Sequence, residues 1–116
     1  MRSRILAYAP AALVIVVAAG VFATRQLHAD DAPNQVVIMT FKYGPKDITV
    51  PAGATVTWIN KDPEVHTVVD KGGKFRSSAL DTDDSFTFTF AEPGTYNFFC
   101  SLHPQMTGTV TVVPKG

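Results

Sequence analysis

Cys100, His103 and Met106 follow one another at intervals of three near the end of the chain, in the stretch GTYNFFCSLHPQMTGTV (residues 94–110). Side chains of these types can do chemistry together in few ways. A thiol beside an imidazole can serve as a nucleophile with its base, because imidazole promotes the thiolate. A thiolate, an imidazole and a thioether can equally ligate one soft metal ion. The trio can also be plain packing, the common fate of a free cysteine. Cys100 is the single cysteine of the 116 residues, so no disulfide can form within the chain.

The rest of the sequence weighs these readings. Beyond residue 29, Met39, His66, Cys100, His103 and Met106 are the only soft or imidazole side chains. His66 stands 34 positions before Cys100, directly after KDPEV. A nucleophilic pair needs an orienting third group and an open cleft, and a neighbouring methionine serves neither. Structural zinc takes several cysteines, and methionine is rare at catalytic zinc. Two imidazoles and a thiolate with a weak thioether match a blue-copper electron-transfer site, where the thioether tunes the potential. The expected metal ligands are therefore His66, Cys100, His103 and Met106, around one copper ion. Met39 is expected in the core or in strand packing, and Trp58 in the core. Asp81, Asp83 and Asp84 read as a solvated turn, because the pattern of a calcium loop is missing.

Ligands so far apart in sequence must be brought together by the fold. After residue 35 the chain shows short runs rich in Val, Thr, Phe and Ile, broken by Gly, Pro and Asp. That pattern predicts an all-β protein. Strands are expected over Val36–Phe41, Asp47–Val50, Thr55–Asn60, His66–Val69, Ser85–Phe90, Thr95–Cys100 and Thr107–Val113. In SFTFTF (85–90) the phenylalanines share one face, and in TVTWIN (55–60) Val56, Trp58 and Asn60 do. Turns are expected at Tyr43-Gly44-Pro45, Pro51-Ala52-Gly53, Lys71-Gly72-Gly73 and Glu92-Pro93-Gly94. Phe75–Asp84 lacks alternation and reads as a helical turn or a loop crossing between sheets. Seven to eight strands in this length predict a small antiparallel Greek-key β-sandwich. The 62–66 and 101–106 loops would then meet at one end.

Ile5 to Thr24 contains no charged residue, with Arg2 and Arg4 before it and Arg25 after it. This reads as a secretory leader, cleaved at Val21-Phe22-Ala23 or Leu27-His28-Ala29, or as an uncleaved anchor helix, being close to the ~20 residues that span a bilayer. The expected organisation is a leader or anchor over 1–29, a short linker over 30–35 and one domain over 36–116. The domain would lie in the periplasm or otherwise outside the cytoplasm, touching membrane only through residues 5–24 if these stay attached. Without residues 1–29, seven basic side chains face ten acidic ones, a net charge of −3. No basic run suggests nucleic acid.

The stretches VTWINKDPEVHTV (56–68), SFTFTFAEPGTYNFFC (85–100) and CSLHPQM (100–106) resemble small cupredoxins of the plastocyanin and amicyanin group. The two-residue gap between His103 and Met106 is closest to amicyanin. The resemblance implies equatorial ligation by His66, Cys100 and His103 and axial ligation by Met106. It implies that Asn60 ties the two ligand loops together. Thr67 stands where some relatives have asparagine, which bears on the hydrogen bonding of the thiolate.

A monomeric electron carrier is the expected function, cycling Cu(II)/Cu(I) between a donor and an acceptor protein that dock near His103. The amicyanin likeness implies a dehydrogenase as donor and a c-type cytochrome as acceptor. The docking collar would comprise Leu102, Pro104, Pro45 and Val65. With both histidines of the domain committed to one ion, no ligands are left for a second, catalytic metal, so the chain is not expected to be an enzyme. A copper carrier or store would use the same ligands and is the alternative. Tyr96, soon after Pro93-Gly94, is expected to form a structural corner.

Overall fold

A computed structural model describes residues 34–116. The leader or anchor expected over 1–29 lies outside the described residues. Among the described residues eight strands occur: β1 (Gln35–Met39), β2 (Lys42–Gly44), β3 (Asp47–Pro51), β4 (Ala54–Asn60), β5 (Val69–Asp70), β6 (Ser85–Phe90), β7 (Gly94–Cys100) and β8 (His103–Val113). They form two four-stranded sheets, ordered β2-β1-β4-β6 and β3-β8-β7-β5. The sandwich is mixed rather than wholly antiparallel, since β1 runs parallel to β4 and β3 parallel to β8.

Period-two patterning builds the core as the sequence suggests. Val56, Trp58 and Asn60 of β4 are buried while Thr55 is exposed, and Trp58 lies opposite Phe86 of β6. The Trp58 ring sits among Phe75, Phe86 and Phe98, at centroid distances of 5.6, 5.7 and 5.4 Å. Aromatic contacts of this kind add to what the buried area itself contributes. Tyr96 forms the expected corner, its hydroxyl donating to Glu92 O at 2.7 Å.

Three elements differ from the sequence expectation, and all three flank the functional end. The strand expected over Val36–Phe41 breaks at Thr40 and Phe41, whose φ angles are 49° and 60°. These two residues turn β1 into β2, with Met39 paired to Lys42. Two left-handed residues are what the right-handed twist of a two-residue hairpin requires. Met39, expected in the core or in strand packing, consequently ends β1 and is 48% exposed rather than in the core. His66–Val69 is not a continuous strand. His66 bridges Leu80 and Val69 bridges Arg76, so the 75–80 segment folds back as a loop against it rather than forming a helical turn. Finally, β8 begins at His103, four residues before the expected start.

Candidate metal centre

Alternation along β7 and β8 aims the first ligands. Phe98 and Cys100 both face the core from β7, and Met106, Gly108, Val110 and Val112 do so from β8. The pairing passes from Phe99↔Thr107 directly to Cys100↔His103. The β8 side therefore carries the extra residues 104–106, a bulge that bends the chain around the cysteine. His103 and Met106 come from the two ends of that bulge. Gly108 lies opposite Phe98, whose ring occupies the space a side chain there would need.

His66 comes from the segment between β4 and β5, outside both sheets, and is held on its backbone by Leu80. Its N–H donates to Leu80 O at 3.1 Å, and Leu80 N–H donates to His66 O at 2.8 Å. The Cys100 Sγ lies 3.7 Å from His66 Nδ1 and 3.7 Å from His103 Nδ1. The three ligand atoms all lie within 4.8 Å of one another. Sulfur and nitrogen ligands of a first-row ion at bond lengths of ~2.3 and ~2.0 Å, set about 120° apart, must be roughly 3.7 Å from each other. The observed spacing thus fits a shared ion.

Hydrogen bonding prepares these atoms for that role. The His66 Nε2 lies 2.8 Å from Asp62 Oδ2, with both side chains buried. The carboxylate fixes the proton on Nε2 and leaves the Nδ1 lone pair facing the sulfur, as is usual for a ligand histidine. Burial pushes the Asp62 carboxyl up, but hydrogen bonds from Phe41 N–H and the His66 ring outweigh it and hold it below the usual value. Burial likewise raises the Cys100 thiol. The Thr67 N–H at 3.3 Å, the two imidazoles and the Leu102 N–H more than offset this and bring it from 9.0 to about 6. The Tyr43 hydroxyl, buried and near Cys100, is pushed well above its ordinary pKa and donates to Thr67 O at 2.7 Å. A thiolate and two neutral imidazoles are the forms in which these groups bind a metal.

The whole chain, compared with known families, matches the profile of the cupredoxin-like domain over residues 11–112. The chain belongs to the cupredoxin family. Amicyanin of Paracoccus versutus is 34% identical over 96 residues, covering 76% of this cupredoxin and 73% of that protein. Among solved structures, a purple cupredoxin from Nitrosopumilus maritimus is 36% identical with a TM-score of 0.63, covering 67% of this chain and 97% of that one. A Cu(I) form of an amicyanin variant is 32% identical with a TM-score of 0.62, covering 67% and 79%.

The cupredoxin fold thus gathers His66, Cys100 and His103, and sets Met106 buried at the same hairpin. Met106 and Phe41 also share the wall of a groove of about 260 Å³. Asn60 does not tie the two ligand loops in the expected way. Its Nδ2 donates to Glu64 O and Leu80 O at 2.8 Å, and its Oδ1 accepts from Asp62 N–H, bracing the His66 loop against the segment of Leu80. The tie between loops falls to Thr67, whose Oγ1 accepts from Ser101 N–H at 2.7 Å.

Two residues went unnoticed in the sequence. Asp62 sits in KDPE, a proline-bearing turn ahead of His66, yet it is 3% exposed. Its position four before His66 was the available signal. Phe41, at the end of the expected Val36–Phe41 strand, stands with its ring edge-on to both His66 and His103, at 5.1 and 4.9 Å. Its strained φ is held by the hydrogen bond from Phe41 N–H to Asp62 Oδ2 at 2.9 Å. Backbone strain of this kind collects at functional sites, where the surroundings over-determine it. Leu102, Pro104 and Pro45 of the expected collar are exposed and Val65 is half-buried.

Proposed function

We propose that this cupredoxin is a one-copper electron carrier with His66, Cys100, His103 and Met106 as ligands, and that it is not an enzyme. The convergence of the Cys100 sulfur on two imidazole nitrogens, each at 3.7 Å, carries the reading. A bound copper ion would supply a one-electron couple between Cu(II) and Cu(I), tuned by the soft thioether. The protein's own part is to keep that couple in one geometry. Cys100 and His66 are fully buried and braced by Thr67, Asp62 and Leu80, so ligand positions change little when charge changes.

The two histidines divide the work. His66 is sealed from water, whereas His103 is half-buried between exposed Leu102 and Pro104. Its ring edge gives electrons a short route to a docked protein, and Phe41, 44% exposed, extends the apolar surface beside it. Exposed apolar patches of this sort suit brief protein contacts. Residues 1–29 act as leader or anchor and 30–35 as linker ahead of the domain over 36–116, which works as a monomer outside the cytoplasm. A dehydrogenase as donor and a c-type cytochrome as acceptor fit the likeness to amicyanin.

Burial of the ligands favours a carrier of electrons over a carrier of copper, because metal hand-over needs ligands that a recipient can reach. Reducing and reoxidising the loaded protein in the presence of a Cu(I) chelator tests this. Retention of copper through several cycles supports electron carriage. Loss of copper to the chelator on reduction would move the case to metal transfer.

A further inference from the structure

Thr67 lies directly over the ligand sulfur and is 7% exposed. Its N–H donates to Cys100 Sγ at 3.3 Å. Its hydroxyl oxygen accepts Ser101 N–H at 2.7 Å, lies 2.8 Å from Ser101 Oγ, and lies 3.8 Å from Cys100 Sγ. A threonine hydroxyl has one proton and two lone pairs. Ser101 N–H fills one lone pair. The proton then has two destinations, Ser101 Oγ or the sulfur.

We propose that the Thr67 hydroxyl is a further hydrogen-bond donor to the Cys100 thiolate, beside the backbone N–H groups of Thr67 and Leu102, and that Ser101 orients it. Ser101 is exposed, so water can satisfy its oxygen while its own proton is given to Thr67 Oγ1. Both lone pairs of Oγ1 are then occupied, and the Thr67 proton is directed at sulfur. Charge selects this order of donors. Hydrogen bonds to an ionised acceptor are about twice as strong as neutral ones, and a chain of donors ending on a thiolate strengthens each link. The alternative order would end the chain on a neutral, solvated serine.

Thr67 is thus a positioning residue that also sets how electron-rich the sulfur is. A donor to sulfur draws electron density from the thiolate, favours the reduced site and raises the potential. This consequence rests on the copper reading above. It also explains how threonine serves at a position where asparagine is found in some relatives. The oxygen ties down the Ser101 loop and the proton is left for the ligand.

The test compares reduction potentials and visible spectra of the copper-loaded full chain with those of Thr67→Val, Thr67→Ser and Ser101→Ala. Thr67→Val is expected to hold its electron about tenfold less tightly, a fall of ~59 mV for a one-electron couple. Its thiolate-to-copper band should move to longer wavelength. Thr67→Ser should restore both. Ser101→Ala should leave the potential level or slightly lower, because Thr67 keeps its proton on sulfur. A Thr67→Val potential equal to that of the wild type overturns the proposal. So does a rise in Ser101→Ala, which would mean that the proton had been pointing at Ser101. Should Thr67→Val fail to fold, Ser101→Ala decides on the same terms. A wild-type protein without an intense thiolate band would remove the copper reading and this inference together. A band present but indifferent to Thr67 removes this inference alone.

Discussion

Asp62→Ala should weaken copper binding without dismantling the sandwich. The carboxylate takes two hydrogen bonds on one oxygen, from His66 Nε2 at 2.8 Å and from Phe41 N–H at 2.9 Å. Removing it strands the Nε2 proton in a fully buried ring. A hydrogen bond to a charged partner contributes about 1.5–3 kcal/mol, and losing it lets the imidazole change tautomer or tilt. Taking about 2 kcal/mol as the middle of that range gives roughly a thirtyfold loss of copper affinity, inside the 10–100-fold that supporting residues of ligand histidines usually show. The strained Thr40-Phe41 turn loses its anchor in the same step, so the edge-on contacts of Phe41 with both imidazoles should loosen. The assay is competition for copper against a chelator of known affinity, beside thermal melts of the metal-free proteins. Asp62→Asn, which keeps one oxygen acceptor, should recover part of the loss. A folded Asp62→Ala protein with affinity within about threefold of wild type would mean that Asp62 does not hold His66 for the metal, since the buried pair would then contribute far less than a charged hydrogen bond should.

Gly108→Ala tests the packing under the site. Its Cβ would lie 2.7 Å from both Lys46 O and Phe98 Cε2, and the carbonyl cannot rotate away. Overpacking of this kind costs about 1–3 kcal/mol, and at the upper end the melting temperature should fall by ~12–24 °C for a domain of this size. A fall of only a degree or two would contradict the close approach. The pH dependence of the metal-free protein tests Cys100. Its folded pKa of about 6 lies below the 9.0 of the free thiol, so its contribution to stability is complete above pH 9 and is lost as pH falls through about 6. Relative to Cys100→Ser, the wild type should therefore gain stability in denaturant melts from pH 6 to pH 9, and a constant difference would contradict the thiolate's stabilisation.

Much of the site was legible because Cys100, His103 and Met106 fall in one hairpin and need only local geometry to meet. His66 was legible less directly, from its residue type and its place after a loop. The alternation of β4 and β6 also survived into the structure: Val56, Trp58 and Asn60 are buried, and the phenylalanines of β6 are half-buried or buried while Ser85, Thr87 and Thr89 are exposed. Parallel pairing of β1 with β4 was not legible, because period two sets which side chains face inward and leaves the partner strand open. The hairpin at Thr40-Phe41 carries no Gly or Asn to mark its left-handed turn, so β1 and β2 read as one strand. Asp62 was missed because burial of a carboxylate depends on a partner that only the folded chain supplies.

The most direct test of the copper site is a visible and electron-paramagnetic titration of the protein with Cu(II), beside Cys100→Ser. One ion per chain, an intense blue or purple thiolate-to-copper band, bleaching by a mild reductant and loss of the band in Cys100→Ser are expected. A colourless protein at full copper occupancy, or a spectrum unchanged by Cys100→Ser, would contradict such a site.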